Sequence, residues 1–300
     1  MTTTTDTIDL IRGLHRQRRF ALKVQQKLDR SLESFLRINA TSWNPNADEI
    51  DREKANREVK DLIKKIRGGE AHAFAAAVHT CDRAREPADE MRAVNERAME
   101  KAAKELPIYS WIEAIRGAGA LGVATIVAEA GDLANYATPC KLWKRLGFAP
   151  YDGHAGSTWK RSTWRPRTLT ADEWIDNPFS GERYALMAQI ATWLVNAQWI
   201  GAAKVGNGEG KPNGHYGEIY ARRRAQTKVS HPEWTPGHRR SDALRITMKA
   251  FLKDLWSEWN RLAATEKTTP ALQIPPVVPA RGGAAHPAPK TPPHTFRRHT

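Results

Sequence analysis

Hydrophobic residues recur along the first third of the chain at the three- and four-residue spacing of amphipathic helices. The first such stretch, residues 6–40, predicts one or two helices and ends in the turn-forming segment 41–47. Alternating charges mark a second helical stretch at 48–67, which stops at a pair of glycines. An alanine-rich stretch at 70–85 predicts a third helix, and Pro87 is expected to open a fourth that runs to about position 104.

Residues 1–105 are therefore interpreted as a helical arm, either an antiparallel hairpin or a short coiled coil. No Asp or Glu in this arm stands at the end of a convincing strand. We therefore favour self-association of the arm, as a homo-oligomer, over a catalytic role. The pattern leaves open whether the arm is a coiled coil or a compact bundle.

The pattern changes after Pro107, where Gly, Trp and Arg become common and helical segments alternate with irregular ones. A strongly apolar helix is predicted at 183–203, followed by a flexible loop at 205–215. A basic helix is expected at 216–226 and a last amphipathic helix at about 240–263. Together these segments predict a second helical domain, residues 106–263.

The remaining residues, 264–300, are rich in Pro, Ala and Thr and carry several basic side chains. A segment of this composition cannot bury a core and is predicted to be a disordered basic tail. The predicted fold class is thus mainly α: a helical arm, a helical domain that contains a helix-hairpin-helix, and a disordered tail.

The net charge of +14 is unevenly distributed. Lys and Arg exceed Asp and Glu by 3 in residues 1–105 and by 11 in residues 106–300. A positive field of this kind attracts polyanions, of which nucleic acid is the abundant example inside a cell. The charge thus points to the C-terminal two thirds of the chain as a nucleic-acid-binding region.

The helix-hairpin-helix is predicted at 112–132. Apolar Ile112 and Ile115 end one helix, and Gly117 and Gly119 form a tight turn before a second helix of small and apolar residues. Amide groups at the start of the second helix would face outward, where the helix dipole favours a phosphate. The alternative is an ordinary corner between two helices with a glycine turn.

A second DNA-binding element is predicted in the loop after the hairpin, where basic residues alternate with Trp159 and Trp164. This composition suits neutralisation of the backbone together with stacking on unpaired bases. The alternative is that the two tryptophans pack into the core. The complete set of residues predicted to bind DNA is Arg116, Gly117, Gly119, Lys141, Lys144, Arg145, Lys160, Arg161, Arg165, Arg222 and Arg223.

These motifs resemble the C-terminal domain of the IS-one-ten / IS-one-sixteen family of insertion-sequence transposases. The likeness covers about half of the chain and is most specific over 112–150. It consists of the Gly-x-Gly hairpin, a small-residue helix, a Gly-Asp pair, an aromatic residue, a short basic helix and a Leu-Gly-x-x-Pro motif. In this chain they are Gly117 and Gly119, Gly131–Asp132, Tyr136, Lys141–Arg145, and Leu146–Gly147 with Pro150.

The resemblance implies DNA transposition or recombination, with DNA and an RNA guide as candidate partners. Family members pair an N-terminal RuvC-like domain, which carries acidic metal ligands, with a serine nucleophile in the C-terminal domain. Two departures stand out here. First, residues 1–105 lack the strand-borne acidic residues. Second, the position of the family's Ser-Gly pair is occupied by Ala155–Gly156, and alanine is not a nucleophile. The nearby Ser157 is therefore the candidate catalytic residue, and the alternative is that Ser157 is an ordinary loop serine.

No cofactor is identified from the residues, and Mg²⁺ would require an acidic site that the sequence does not show. The histidines are too sparsely spaced for a metal site, and Glu129 and Asp132 are interpreted as structural residues at a helix end. Cys81 and Cys140 form no CxxC pair, which favours a reduced, cytoplasmic setting. No membrane-spanning segment is predicted.

A different class of function fits the same sequence: a non-catalytic helical assembly protein in which the hairpin is only a packing corner. The two hypotheses differ in their response to salt. Phosphate contacts weaken steeply with ionic strength, whereas helix packing does not.

Overall fold

The computed structural model describes residues 3–148 apart from 42, 45 and 47, then residues 180–200 and 210–268. Within these residues the fold is helical, with a single pair of two-residue strands. The prediction of a mainly α protein is therefore confirmed. The candidate nucleophile Ser157, the Trp-rich loop with Lys160, Arg161 and Arg165, and most of the predicted tail lie outside the described residues.

Two long antiparallel helices form the arm, α1 (Thr4–Ala40) and α3 (Ala75–Lys104). Helix α1 begins with a capping box in which Thr3 and Asp6 satisfy each other's backbone amides. Ion pairs link the two helices along their length, among them Arg18–Glu96 at 2.7 Å and Arg85–Asp29 at 2.8 Å. The pairing of early positions of α1 with late positions of α3 establishes the antiparallel order.

The expectation that Pro87 opens a separate helix is wrong, because α3 continues through it. A proline inside a helix removes one backbone hydrogen bond. Here the helix is held against α1 on both sides of Pro87 by Arg85, which bonds Asp29, and by Asp89, which accepts a hydrogen bond from Gln25. Packing along the neighbouring helix therefore outweighs the local break.

Helix α2 (Glu49–Arg67) covers the distal end of the arm. Its buried Val59, Ile63 and Ile66 form a small core with α1 and α3. The Arg67 guanidinium bonds the Asp82 carboxylate of α3 and fixes the end of α2. This core is separate from the main core of the molecule.

The C-terminal part begins with two short helices, α4 (Tyr109–Glu113) and α5 (Ala120–Ala130), joined by the predicted glycine turn. A 3-10 turn (Leu133–Asn135) and helix α6 (Pro139–Arg145) follow. After residues 149–179, which the structure does not describe, come helix α7 and two short strands, then helices α8 and α9. Their bounds are Ser180–Ala197 for α7, Trp199–Ile200 for β1, Lys211–Pro212 for β2, His215–Ser230 for α8 and Pro236–Thr268 for α9.

One main core joins both sides of the domain boundary predicted at residue 105. It contains Ile11 of α1 and Met99 of α3 together with Val127 of α5, and it extends to α7, α8 and α9. Helix α5 is central because its small and apolar residues are buried all round. The proximal end of the arm thus packs on the hairpin helix.

None of the helices in the described part of the chain is long and apolar enough to cross a membrane.

Candidate nucleic-acid interface

The predicted hairpin turn is present, and its two glycines have different roles. Gly117 has φ +87°, and a Cβ atom built there would lie 2.7 Å from Ala197 Cβ and 2.8 Å from Leu194 Cα of α7. Gly119 has φ +55°, and no atom outside its own neighbourhood lies within 4 Å of its Cβ position. Gly117 therefore lets α7 approach the turn, whereas Gly119 faces open space.

Helix α5 begins at this open side of the turn. Gly119 is its N-cap residue, and no side chain in the described part of the chain caps the helix there. The first amides of a helix lack intrahelical acceptors, and the helix dipole gives this end a partial positive charge. The free amides of an uncapped helix start beside an open glycine can therefore donate hydrogen bonds to an anionic oxygen.

Gln198 fixes the turn from behind. Its Nε2 donates to the Arg116 carbonyl at 3.0 Å, and its Oε1 accepts from the backbone amides of Tyr216 at 2.9 Å and Gly217 at 3.3 Å. One buried amide side chain thus bonds both the hairpin turn and the first residues of α8. The start of α8, unlike the start of α5, is already occupied by a side-chain oxygen.

Arg116 lies beside the turn, and its side chain is exposed. Its guanidinium donates to the Asn213 carbonyl oxygen, which places it between the turn and the segment that precedes α8. This hydrogen bond does not neutralise the positive charge of Arg116, because a carbonyl group carries no net charge. Arg116 is three residues before Gly119 and brings a positive charge to the turn.

The basic residues of α6 lie at the other end of α5. Arg145 Nε donates to the Glu129 carbonyl oxygen at 3.1 Å, one residue before α5 ends, and Lys141 and Lys144 are exposed on the same short helix. Eleven helical residues span about 16 Å. The structure therefore separates these three residues from Arg116 and the turn, although they are close to the turn in sequence.

Helix α6 is held in place by α9. Trp143 Nε1 donates to the Lys249 carbonyl oxygen at 3.1 Å, and the Lys249 ammonium lies 5.1 Å from the centre of the Trp143 ring. These contacts orient α6 so that Lys141 and Lys144 point to solvent.

The consecutive arginines of α8 differ in what surrounds them. Arg222 is exposed, whereas Arg223 Nε bonds Asp242 Oδ2 at 2.6 Å. Burial by itself would raise the pKa of Asp242, but hydrogen bonds from Arg245 and Arg223 outweigh it and hold that pKa below its usual value. The charge of Arg223 is therefore compensated within the protein, and Arg222 is the better placed of the pair for a phosphate.

A groove of about 490 Å³ runs beside α4 and carries carboxylates. Asp254 in this groove accepts a hydrogen bond from Tyr216 Oη at 3.0 Å, and Glu258 pairs with Arg261 at 2.6 Å. Burial and the nearby Asp254 carboxylate raise the pKa of the Tyr216 hydroxyl. The Asp254 and Glu258 carboxylates make this groove a less favourable place for a phosphate than the Gly119 side of the turn.

A buried ionic cluster, which the sequence did not predict, lies at the opposite end of α5. Glu129 accepts hydrogen bonds from His15 Nε2 at 3.0 Å, from Arg19 Nη1 at 3.3 Å and from Arg183 Nε at 3.0 Å. Arg19 also pairs with Glu182. The cluster connects the arm, the hairpin helix and the start of α7.

The cluster keeps Glu129 ionised. Burial alone would raise the pKa of its carboxyl, but the bonds from His15 and Arg183 and the nearby Arg19 lower that pKa to about 2. The only local signal for this arrangement is a lone carboxylate in an otherwise apolar helix, which must find partners when buried. Its partners come from positions 114 and 54 residues away, so no local pattern identifies them.

No cluster of three or more His, Cys, Asp or Glu side chains within the described ranges can hold a metal ion. These residues therefore do not fit the paired Mg²⁺ ions of a RuvC-like domain. Asp132 bonds the Ala134 amide and Trp259 Nε1, each through Oδ1, as a structural helix-end residue would.

No protein-family model, curated protein or solved structure matches this chain. The arrangement of the residues is therefore the basis for assigning a function. It combines an uncapped helix start at an open glycine, an exposed arginine beside it, and further exposed basic residues on α6 and α8.

Proposed function

We propose that this chain is a transposase-related DNA-binding protein that holds a backbone phosphate at the Gly119 end of α5. The observation that carries the proposal is the uncapped start of α5 at an open, positive-φ glycine. Arg116 beside the turn supplies the full positive charge that the helix dipole lacks.

The charge distribution supports the same proposal. The chain carries +14, and most of the excess lies after residue 105. Lys141, Lys144 and Arg222 are exposed. A duplex that contacts the turn together with one of these groups would cover several phosphates, and each contact adds to the salt dependence of binding.

The proposed contact is tested by a carboxylate at the start of α5. In Ala120→Glu the new carboxylate interacts favourably with the helix dipole, so the helix should be kept, while a DNA phosphate is repelled. We expect at least a tenfold loss of affinity for a labelled duplex, measured by fluorescence anisotropy. The matched control Ala120→Gln, of the same shape without the charge, should lose less than threefold.

Binding should also weaken by orders of magnitude between about 50 and about 200 mM salt. Equal affinity of the wild type and Ala120→Glu would place the contact elsewhere. Absence of binding at low salt would contradict the DNA-binding proposal and favour the helical assembly protein instead.

A part in strand transfer rests on the resemblance alone, with Ser157 as the proposed nucleophile and an RNA guide as a further proposed partner. Ser157→Ala should leave duplex affinity unchanged and abolish strand transfer in an assay with supplied donor and target DNA. Transfer by Ser157→Ala would exclude that serine as the nucleophile.

A further inference from the structure

The arm has a largely exposed apolar face, on which Phe35 also makes an edge-to-face contact with Phe74, at 5.7 Å between ring centres. Four large hydrophobic side chains of α1 and two of α3 are between 41% and 61% exposed there: Leu10, Phe20, Phe35, Ile38, Met91 and Val94. At about 100° per residue, the four on α1 fall within about 80° of one another around the helix. They thus form a stripe rather than scattered surface residues.

The two exposed stripes lie on the same side of the α1/α3 pair. The opposite side is occupied, because His15 of α1 bonds Glu129 of α5 and Asp82 of α3 bonds Arg67 of α2. On each helix, the line of residues that faces the other helix serves as the reference. Because α3 runs antiparallel to α1, a residue of α1 and a residue of α3 that are rotated from this line by the same angle in the same direction lie on the same side of the pair. Phe35 and Met91 meet this condition, and the arm therefore presents one apolar face.

The stripe on α1 is self-complementary when it is paired with an antiparallel copy of itself. When Val24 of one copy faces Val24 of the other, apolar residues meet apolar residues, polar residues meet polar residues, and a large residue meets a small one. The pairs are Leu10 with Ile38, Phe20 with Leu28, Gln17 with Ser31, and Gly13 with Phe35. This symmetry is what a two-fold interface requires, since residue i of one subunit contacts residue j of the other, and residue j of the first contacts residue i of the second in return.

Gly13 gives an independent reason to expect a partner there. A glycine inside an exposed helix destabilises it by about 0.5–1 kcal/mol relative to alanine. Nothing in the described structure lies within 4 Å of a Cβ atom at Gly13, so contacts among the described residues do not explain the glycine. In the antiparallel pairing, the open surface at Gly13 receives the Phe35 ring of the second copy.

We propose that the arm face binds a second copy of this chain, with the two α1 helices antiparallel and crossing at Val24. The two hairpins would then form a four-helix bundle. The proposal goes beyond DNA binding and does not depend on it.

The size of the face suits this occupant. From Leu10 to Ile38 the stripe is about 42 Å long, at 1.5 Å per residue. The face includes α1 and α3, and two helices packed about 9 Å apart give it a width of about 20 Å. The resulting area, on the order of 800 Å², matches the area that each partner contributes to a standard stable interface.

The oligomeric state of the full chain is the first test. Sedimentation velocity at about 50 µM should show a dimer for the wild type and a monomer for the double variant Phe20→Glu, Ile38→Glu. Two matched controls carry the same change at exposed apolar positions off the face: Ile50→Glu on α2 and Val229→Glu on α8. Both controls should remain dimeric, and circular dichroism should show equal helix content in all four proteins.

A monomeric wild type would overturn the proposal, as would a double variant that stays dimeric. Loss of the dimer in the Ile50→Glu or Val229→Glu control would also contradict it, because the interface would then not be confined to the arm face.

Cysteine cross-linking tests the antiparallel register. In a background with Cys81→Ser and Cys140→Ser, Val24→Cys should form an intersubunit disulfide, because two copies of this position meet at the axis. Leu10→Cys alone should not cross-link, since its partner position is 38. Cross-linking through Leu10→Cys, without cross-linking through Val24→Cys, would overturn the antiparallel arrangement.

Discussion

The arm and the hairpin helix α5 bury their residues in opposite ways. Helices α1 and α3 have 37 and 30 residues, with one buried face and ion pairs along their edges. Helix α5 has 11 residues and is buried nearly all round, with its only carboxylate inside the protein. The arm is stabilised by the packing of amphipathic helices. Helix α5 depends instead on the close approach of its neighbouring helices and on the Glu129 carboxylate, which is fully hydrogen-bonded.

This contrast shows where a single substitution acts. Exposed ion pairs contribute little, because water and salt screen them and the side chains lose conformational freedom. A buried charge is costly to leave without its partner, and a buried turn is costly to widen. The same kind of change should therefore have a large effect around α5 and a small one at the exposed ion pairs of the arm.

The largest effect is expected for Glu129→Gln. The substitution leaves three cationic or proton-donating partners buried around a neutral amide, and breaking such a cluster costs about 3–5 kcal/mol. Chemical denaturation should show the loss of unfolding free energy. The control Glu182→Gln removes a carboxylate that also pairs with Arg19 but is 39% exposed, so it should lose less than about 1 kcal/mol.

Acid should reproduce the loss in the wild type. The folded pKa of Glu129 lies at about 2, below its ordinary value of 4.5, so the folded state binds fewer protons than the unfolded state between these values. The stabilisation is present above about pH 4.5 and disappears as the pH falls toward 2. Denaturation curves of Glu129→Gln should lack this component, and an identical acid profile in both proteins would contradict it.

A smaller but still large effect is expected for Gly117→Ala. The added Cβ would overlap the backbone of α7 and would require a positive φ, which together cost about 3 kcal/mol. Gly119→Ala is the matched control, because it also has a positive φ but open space, and it should cost about 1 kcal/mol. Thermal melting of both variants measures the difference, and equal losses would mean that α7 does not restrict the turn.

The smallest effect is expected for Arg67→Gln on the arm. Its bond to Asp82 is exposed on both sides, at 41% and 33% of the two side chains, so the loss should stay below about 0.5 kcal/mol. The measurement is the midpoint of chemical denaturation at low and high salt. A loss comparable to that of Glu129→Gln would remove the contrast between the two regions.

The mainly helical fold and the hairpin turn follow from the amino-acid sequence, although the helix predicted at 183–203 ends at Ala197, before a short strand. Helix α2 was predicted to within a residue, and α1 was predicted as the first helical stretch, because an amphipathic helix is recorded in neighbours three and four positions apart. The glycine turn was predicted as well, because positive φ angles at Gly117 and Gly119 are a local requirement. The positive charge after residue 105 is likewise a property of composition.

The contacts between these elements, in contrast, depend on the tertiary structure. It continued α3 through Pro87, separated Arg116 from Arg145 along α5, and surrounded Glu129 with residues from distant segments. The physical reason is that burial and pairing depend on which surfaces meet across the fold. Local periodicity records that a face is apolar or charged, but not which other face it contacts.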